Sequence, residues 1–309
     1  MPADGTAAPS LLCLAGPTAV GKSAVALLLA ERIGGEIISV DSMQVYRGLD
    51  LGTAKPTSVE RARVPHHLID VAEPGEPFDA AQFVRHARLA VAQIQARGRV
   101  PILCGGTGLY FRAFLEGLGD APPPDPSIRA ELETTPLPDL LRELAARDPV
   151  TFAKIDRQNP RRVIRALEVI RLTGRPFSAQ RAAWSSTPPT GNFFALSRTL
   201  PDLHARIDTR VEEMFRRGLV AETEQLLARG LAHNLTALQA IGYRQVVEHL
   251  RGERAFADTI ALVKQRTRQF AKRQMAWFRR QSALTWLALT PAESAAAVVA
   301  RLAAERLRR

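Results

Sequence analysis

Cysteine is scarce in this chain of 309 residues, which contains only Cys13 and Cys104. Both lie in apolar runs, Leu11 to Ala15 and Val100 to Cys104, and read as buried strand thiols. That usage excludes a disulfide framework and suits a reducing compartment. The first ten residues hold no Lys or Arg, so the basic start of a secretory signal is missing. No apolar run approaches the ~20 residues that cross a bilayer. The expectation is a cytoplasmic protein with no membrane partner.

Acidic residues are outnumbered, 31 Asp and Glu against 42 Lys and Arg, for a net charge of +11. Between Thr259 and Ala292 there is no acid, while Lys264, Arg266, Arg268, Lys272, Arg273, Arg279 and Arg280 are all basic. A second basic group is Arg157, Arg161, Arg162, Arg165, Arg171, Arg175 and Arg181. Solvated helix faces usually mix signs, so this asymmetry points to a polyanion such as a nucleic acid backbone. Phe270, Trp277 and Phe278 interleave with the stretch from Thr259 to Ala292; for Phe270 and Trp277 core packing is the better reading.

What is present is an alternation of strand and helix. Leu11–Ala15, Ile37–Val40 and Val100–Cys104 are strand candidates, and Ser23–Ile33 and Ala80–Arg97 have helical character. Such alternation implies the α/β class, with a mostly parallel sheet flanked by helices. Pro122, Pro123, Pro124 and Pro126 mark a boundary, and Ser186 to Gly191 marks another. Between them Asn159 caps, Pro160 opens, and Gly174 with Pro176 ends a helix with an apolar face at Val163, Ile164, Leu167 and Ile170. The expected plan is a first core segment at 1–119, a helical insertion at 120–191, and completion of the core with basic helices at 192–309. Within the last segment Phe193–Thr199 and Ala283–Leu289 read as strands, and Ala292–Arg309 as a helix.

Gly16-Pro-Thr-Ala-Val-Gly21-Lys22-Ser23 fits G-x-x-x-x-G-K-[ST] between a strand and a helix, the context of a P-loop. Its glycines let backbone N–H groups converge on an anion. Lys22 brings a mobile charge, and Ser23 can ligate Mg²⁺. The loop implies a di- or triphosphate without naming the reaction, and a nucleotide kinase remains open. Asp41 stands at the carboxyl end of the second strand, where α/β sheets bind ligands. A metal ligand, a loop cap and a general base all suit that position. Gly105-Gly-Thr107-Gly brings backbone and a hydroxyl to the same edge.

Further segments come in order: Ile38-Ser-Val-Asp41-Ser-Met-Gln-Val-Tyr46, Leu51-Gly-Thr-Ala-Lys-Pro56, Pro65-His-His-Leu-Ile-Asp70, and Gly105-Gly-Thr-Gly-Leu-Tyr110. They are followed by Asn159-Pro-Arg-Arg162, Arg165-Ala-Leu-Glu168, Arg206 and Arg210, Ala240-Ile-Gly-Tyr-Arg-Gln245 and Arg268-Gln-x-Ala-Lys272-Arg-Gln274. The ordered set, over about residues 11–287, resembles the bacterial tRNA dimethylallyltransferase (tRNA isopentenyltransferase) family.

The resemblance implies transfer of a dimethylallyl group from dimethylallyl diphosphate to N6 of the adenosine next to the anticodon, position 37, with Mg²⁺ assisting. It implies a P-loop-type core. It places the diphosphate on Gly16, Pro17, Thr18, Ala19, Val20, Gly21, Lys22 and Ser23, with Arg206 and Arg210, and makes Ser23 the metal ligand. Asp41 is then the general base, and Thr107 contacts the target nucleotide. Expected tRNA contacts are Asp41, Ser42, Met43, Gln44, Arg129, Arg161, Arg162, Val163, Ile164, Arg165, Gln239, Ala240, Ile241, Gly242, Tyr243, Arg244, Lys272 and Arg273. The partners are the anticodon stem-loop and the donor, and a monomer is expected. His66 and His67 are assigned no metal. The competing enzymes are an adenylate isopentenyltransferase and a P-loop kinase.

Overall fold

The computed structural model describes residues 11–180, 192–234, 236–281 and 284–307. Arg181 and the boundary expected at 186–191 lie outside the described residues. The described residues form two compact units that separate between Leu115 and Glu116: residues 11–115 with 192–307, and residues 116–180.

The larger unit is built on six strands: β1 (Leu12–Ala15), β2 (Gly35–Val40), β3 (His66–His67), β4 (Val100–Gly105), β5 (Phe193–Ser197) and β6 (Thr285–Ala288). They run in the order β3-β2-β4-β1-β5-β6, every neighbouring pair parallel. A parallel sheet needs both faces covered, which explains why β1 and β2 are buried along their whole length. Helices α1 (Lys22–Ile33) and α3 (Ala80–Ala96) pack on the sheet, while the short α2 (Ser58–Arg63) buries none of its residues and α4 (Gly108–Glu116) follows β4.

The smaller unit is wholly helical: α5 (Pro126–Thr134), α6 (Leu137–Arg147), α7 (Pro149–Lys154) and α8 (Pro160–Thr173). Asn159 caps α8 by accepting the Arg162 N–H, and Gly174 ends it at φ 68°. Val163, Ile164, Leu167 and Ile170 join Leu132, Leu140 and Leu144 in a core separate from that of the larger unit.

The larger unit resumes with α9 (Leu200–Arg216), α10 (Leu219–Ala228), α11 (Tyr243–Leu250), α12 (Phe256–Arg279) and α13 (Ala295–Leu307). Among the described residues no helix is long and apolar enough to cross a membrane.

One strand escaped the sequence reading. His66 and His67, expected in a loop, form the edge strand β3, paired to Ile37 and Ile38. Two residues carry too little periodicity to announce a strand. His67 Nε2 lies 2.7 Å from the buried carboxylate of Glu36, which also receives Arg97. Burial alone would push Glu36 up, but Arg97 and His67 outweigh it and hold the carboxyl below its ordinary range. This cluster sits at the amino-terminal half of β2, remote along that strand from Asp41.

Candidate active site

Three parallel strands end side by side, so their exit loops share one edge of the sheet. Strand β1 leads into Gly16–Gly21, β2 into Asp41–Gln44, and β4 into Gly106–Thr107.

Three cations bond to carbonyls of the first loop. Lys22 Nζ donates to the Pro17 carbonyl at 2.7 Å, Arg206 Nε to the Ala19 carbonyl at 2.8 Å, and Arg198 Nε to the Val20 carbonyl at 2.9 Å. In a trans peptide the C=O and the following N–H point opposite ways. Fixing the Val20 carbonyl therefore aims the Gly21 N–H away from Arg198. Gly21 caps α1 at φ 107°, a conformation that L side chains rarely adopt. The N–H groups of Lys22 and Ser23 then open the helix with no intrahelical acceptor, which makes an anion cradle.

Not every backbone group of the loop is available. The Thr18 N–H is committed to Gln274 Oε1 at 2.8 Å, and the Val20 N–H to Pro17 at 3.4 Å. The Val20 side chain is wholly buried. At Thr18 and Val20 the expectation of a phosphate contact therefore narrows to the Thr18 hydroxyl, which Arg210 Nη1 reaches at 3.4 Å.

The positive charges here are crowded. Burial, with Arg210 nearby, pushes the Lys22 ammonium down to about 8, against the pull of Cys104 and Asp41. Burial and then Arg206 lower Arg210 as well. A site that strains two cations in this way gains when an anion enters.

In the second loop Asp41 Oδ1 accepts the N–H groups of Met43 at 2.8 Å and Gln44 at 3.3 Å. One carboxylate oxygen thus shapes the turn and leaves Oδ2 for other work. The Gln44 side chain accepts from Ser39 and donates to the Thr53 and Ala54 carbonyls. It anchors the Leu51–Pro56 motif and is committed within the protein. The same segment is held by Tyr243 and Glu222, and by Lys55 Nζ on Asp50 and Asp70 at 2.6 Å each.

Beside the phosphate loop, a cavity of about 1270 Å³ opens between residues 50–62 and α9. Ala19, Arg206 and Arg210 line it, whereas neither Asp41 nor Thr107 does.

The residues expected to contact RNA differ in their surroundings. Val163 and Ile164 are buried in the helical unit's core, and Ala240 and Tyr243 are buried in the larger one. Arg165 and Arg129 both bond to Glu168, a carboxylate with no exposed surface, and Arg165 also reaches the Pro122 carbonyl. Arg171 is taken by Glu131 and Glu143, Lys264 by Glu212, and Arg268 by Asp208. Apart from Arg165–Glu168, which is an i,i+3 pair within α8, these pairings join residues distant in sequence, so charge counting along the chain could not foresee them. Arg161, Arg162, Arg175, Lys272, Arg279 and Arg280 are exposed. Arg273 lies over the Phe270 ring at 5.8 Å, and Arg244 pairs with Glu248. Gln239 is exposed and Ile241 partly so. Gly242, at φ 103°, caps α11 with its N–H on Gln245 Oε1.

Residues 44–281 match the family model described as IPP transferase. The chain belongs to the IPP transferase family. A family relative from Trichlorobacter lovleyi, named tRNA dimethylallyltransferase 1, is 49% identical over 91% of this chain and 94% of its own. A solved family structure, the full-length tRNA isopentenylpyrophosphate transferase of Bacillus halodurans, is 38% identical, covers 97% of both chains and superposes with a TM-score of 0.71. A eukaryotic dimethylallyltransferase, described as acting on tRNA, is 28% identical over 91% of this chain and 74% of its own, with a TM-score of 0.76. The residues that sequence reasoning missed at the site are Arg198 and Gln274. Gln274 falls inside a family motif, but nothing local marks it as a loop anchor; Arg198 has no motif signal at all.

Proposed function

We propose that this chain transfers the dimethylallyl group of dimethylallyl diphosphate to N6 of adenosine 37, next to the anticodon of tRNA. The observation that carries the reading is the convergence of an anion cradle, a carboxylate and Thr107 on adjacent parallel strand ends.

The chemistry follows from those groups. As the C1–O bond of the donor breaks, its electron pair leaves with diphosphate. Lys22, the N–H groups of Gly21 to Ser23, Arg206 and Arg210 meet that growing charge, the kind of stabilisation that often dominates a rate. The allylic C1 bonds to N6, whose lone pair is weakened by delocalisation into the ring. Asp41 takes the N6 proton as the C–N bond forms, a contribution of about 10²–10⁴-fold. The Ser23 hydroxyl, beside phosphate oxygens, suits Mg²⁺, a hard cation that keeps most of its waters. Bound there, it would neutralise further charge on the leaving group.

The cavity beside Ala19 and Arg210 supports donor entry by a route separate from the Asp41–Thr107 edge. Exposed Arg161, Arg162 and Lys272, with Gln239, Arg244 and Arg273, supply contacts for the anticodon stem-loop; a lone adenine nucleotide would leave them idle. The same reading puts a monomer in the cytoplasm, where tRNA is modified.

The test is a transfer assay with purified protein, Mg²⁺ and dimethylallyl diphosphate, offering unmodified tRNA or AMP, without ATP. N6-dimethylallyladenosine in tRNA is the expected product. Preference for AMP, or a strict ATP requirement, would overturn the reading.

A further inference from the structure

One side chain touches both the phosphate loop and the loop that carries Thr107. Gln274 lies on α12 and is 7% exposed. Its Oε1 accepts the Thr18 N–H at 2.8 Å, and its Nε2 donates to the Gly106 carbonyl at 3.0 Å. The orientation of the amide is dictated, because an N–H can only donate and a carbonyl only accept.

The contact is close as well as polar. A Cβ at position 106 would come within 2.2 Å of Gln274 Nε2, so any larger residue there would have to displace the Gln274 amide. Three residues along α12, on the same helix face, the Trp277 ring packs so tightly on Gly108 that a Cβ there would approach it to 2.2 Å. Helix α12 therefore grips the β4 exit loop at two points and the phosphate loop at one.

Beyond Gln274, the chain of contacts reaches the chemistry in both directions. Thr18 Oγ1 meets Arg210 Nη1 at 3.4 Å. Thr107, next to Gly106, accepts the Ser42 N–H at 3.2 Å, and Ser42 follows Asp41.

We propose that Gln274 is a positioning residue that sets the spacing between the diphosphate loop and the Asp41–Thr107 edge. It fixes where the donor carbon and the acceptor nitrogen meet. The inference rests on the transfer reading above. A displacement of about 1 Å between reacting groups can cost on the order of 10²-fold in rate.

The full-length chain carrying Gln274→Glu or Gln274→Met tests this. An ionised glutamate keeps the acceptor for Thr18 but cannot donate to Gly106. Methionine does neither. Single-turnover transfer at saturating donor and tRNA, per folded enzyme, is expected to fall roughly 10–100-fold at pH 7.5 in both. Dissociation constants for both substrates should change by less than about threefold, since the binding groups remain. On lowering the pH toward about 5.5, the protonated glutamate regains an O–H donor. Its rate relative to the unmodified chain then rises, whereas the methionine ratio stays flat. A glutamate variant at full rate, a flat glutamate ratio, or a loss accounted for by unfolded protein would overturn the proposal. If the unmodified chain itself makes no product, the transfer reading fails instead. Hydrogen exchange then decides whether the bridge exists: Gln274→Met should expose residues 16–21 and 105–108 together, and exposure of neither or only one overturns it.

Discussion

Thr107 Oγ1 accepts the backbone N–H of Ser42 at 3.2 Å, tying the exit of β4 to the residue after Asp41. Asp41 Oδ1 is occupied by the N–H groups of Met43 and Gln44, and an asparagine oxygen can accept both. Asp41→Asn should therefore keep the turn while losing the proton acceptor. We expect kcat to fall by about 10²–10⁴ with both substrates still bound. Single-turnover assays across a Mg²⁺ series check this, and full recovery at high metal would assign Asp41 to the ion instead.

Lys22 gives a pH signature. Burial holds its ammonium at about 8, so below that pH the group is charged and above it increasingly neutral. An anion prefers the charged form and raises the lysine pKa on binding. Donor affinity should then be fully present below about 8 and weaken as pH rises, by up to about tenfold per unit for one linked proton. Calorimetric titration of dimethylallyl diphosphate from pH 7 to 9.5 measures it. Lys22→Ala should bind weakly with a flat profile over the same range, and a sloping profile in that variant would assign the titration to another group.

In the helical unit, structure and RNA contact separate. Glu168 has no exposed surface and holds Arg129, Arg165 and the Asp125 N–H. Both arginines retain some solvent, so Glu168→Ala should cost roughly 2–3 kcal/mol, less than the ~3–5 of a fully buried pair. Urea unfolding reads that loss. Arg162→Ala, at an exposed position, should leave stability unchanged and lower the slope of log affinity for tRNA against log salt by about one.

The Tyr243 hydroxyl donates to Glu222 at 2.5 Å and accepts the Gly52 N–H at 3.1 Å. Tyr243→Phe removes the acceptor of the Gly52 N–H and one of the donors to Glu222 in a poorly solvated place. The expected cost is about 1–3 kcal/mol, with faster hydrogen exchange at residues 50–55. Unchanged exchange would mean that Glu222, which also takes the Leu51 N–H, holds the segment without the tyrosine.

The phosphate loop, the strand before it and the helix after it were legible because their chemistry is local. A glycine at positive φ, a lysine and a hydroxyl within eight residues make a pattern that can be read without its distant partners. The amphipathic α8, with its Asn159 cap and Gly174 stop, was legible for the same reason. So were the family and its reaction, through ordered motifs that survive as sequence. The pairing of charges was decided only by the tertiary structure. Arg171 is paired with Glu131 and Glu143, and Arg268 with Asp208, partners that no local spacing announces. The commitment of the Thr18 N–H was decided there too, by a glutamine 256 residues away. Helical periodicity reports which face turns inward, but a hydrogen bond between distant segments depends on where packing brings two atoms within about 3 Å, and no spacing along one chain encodes that.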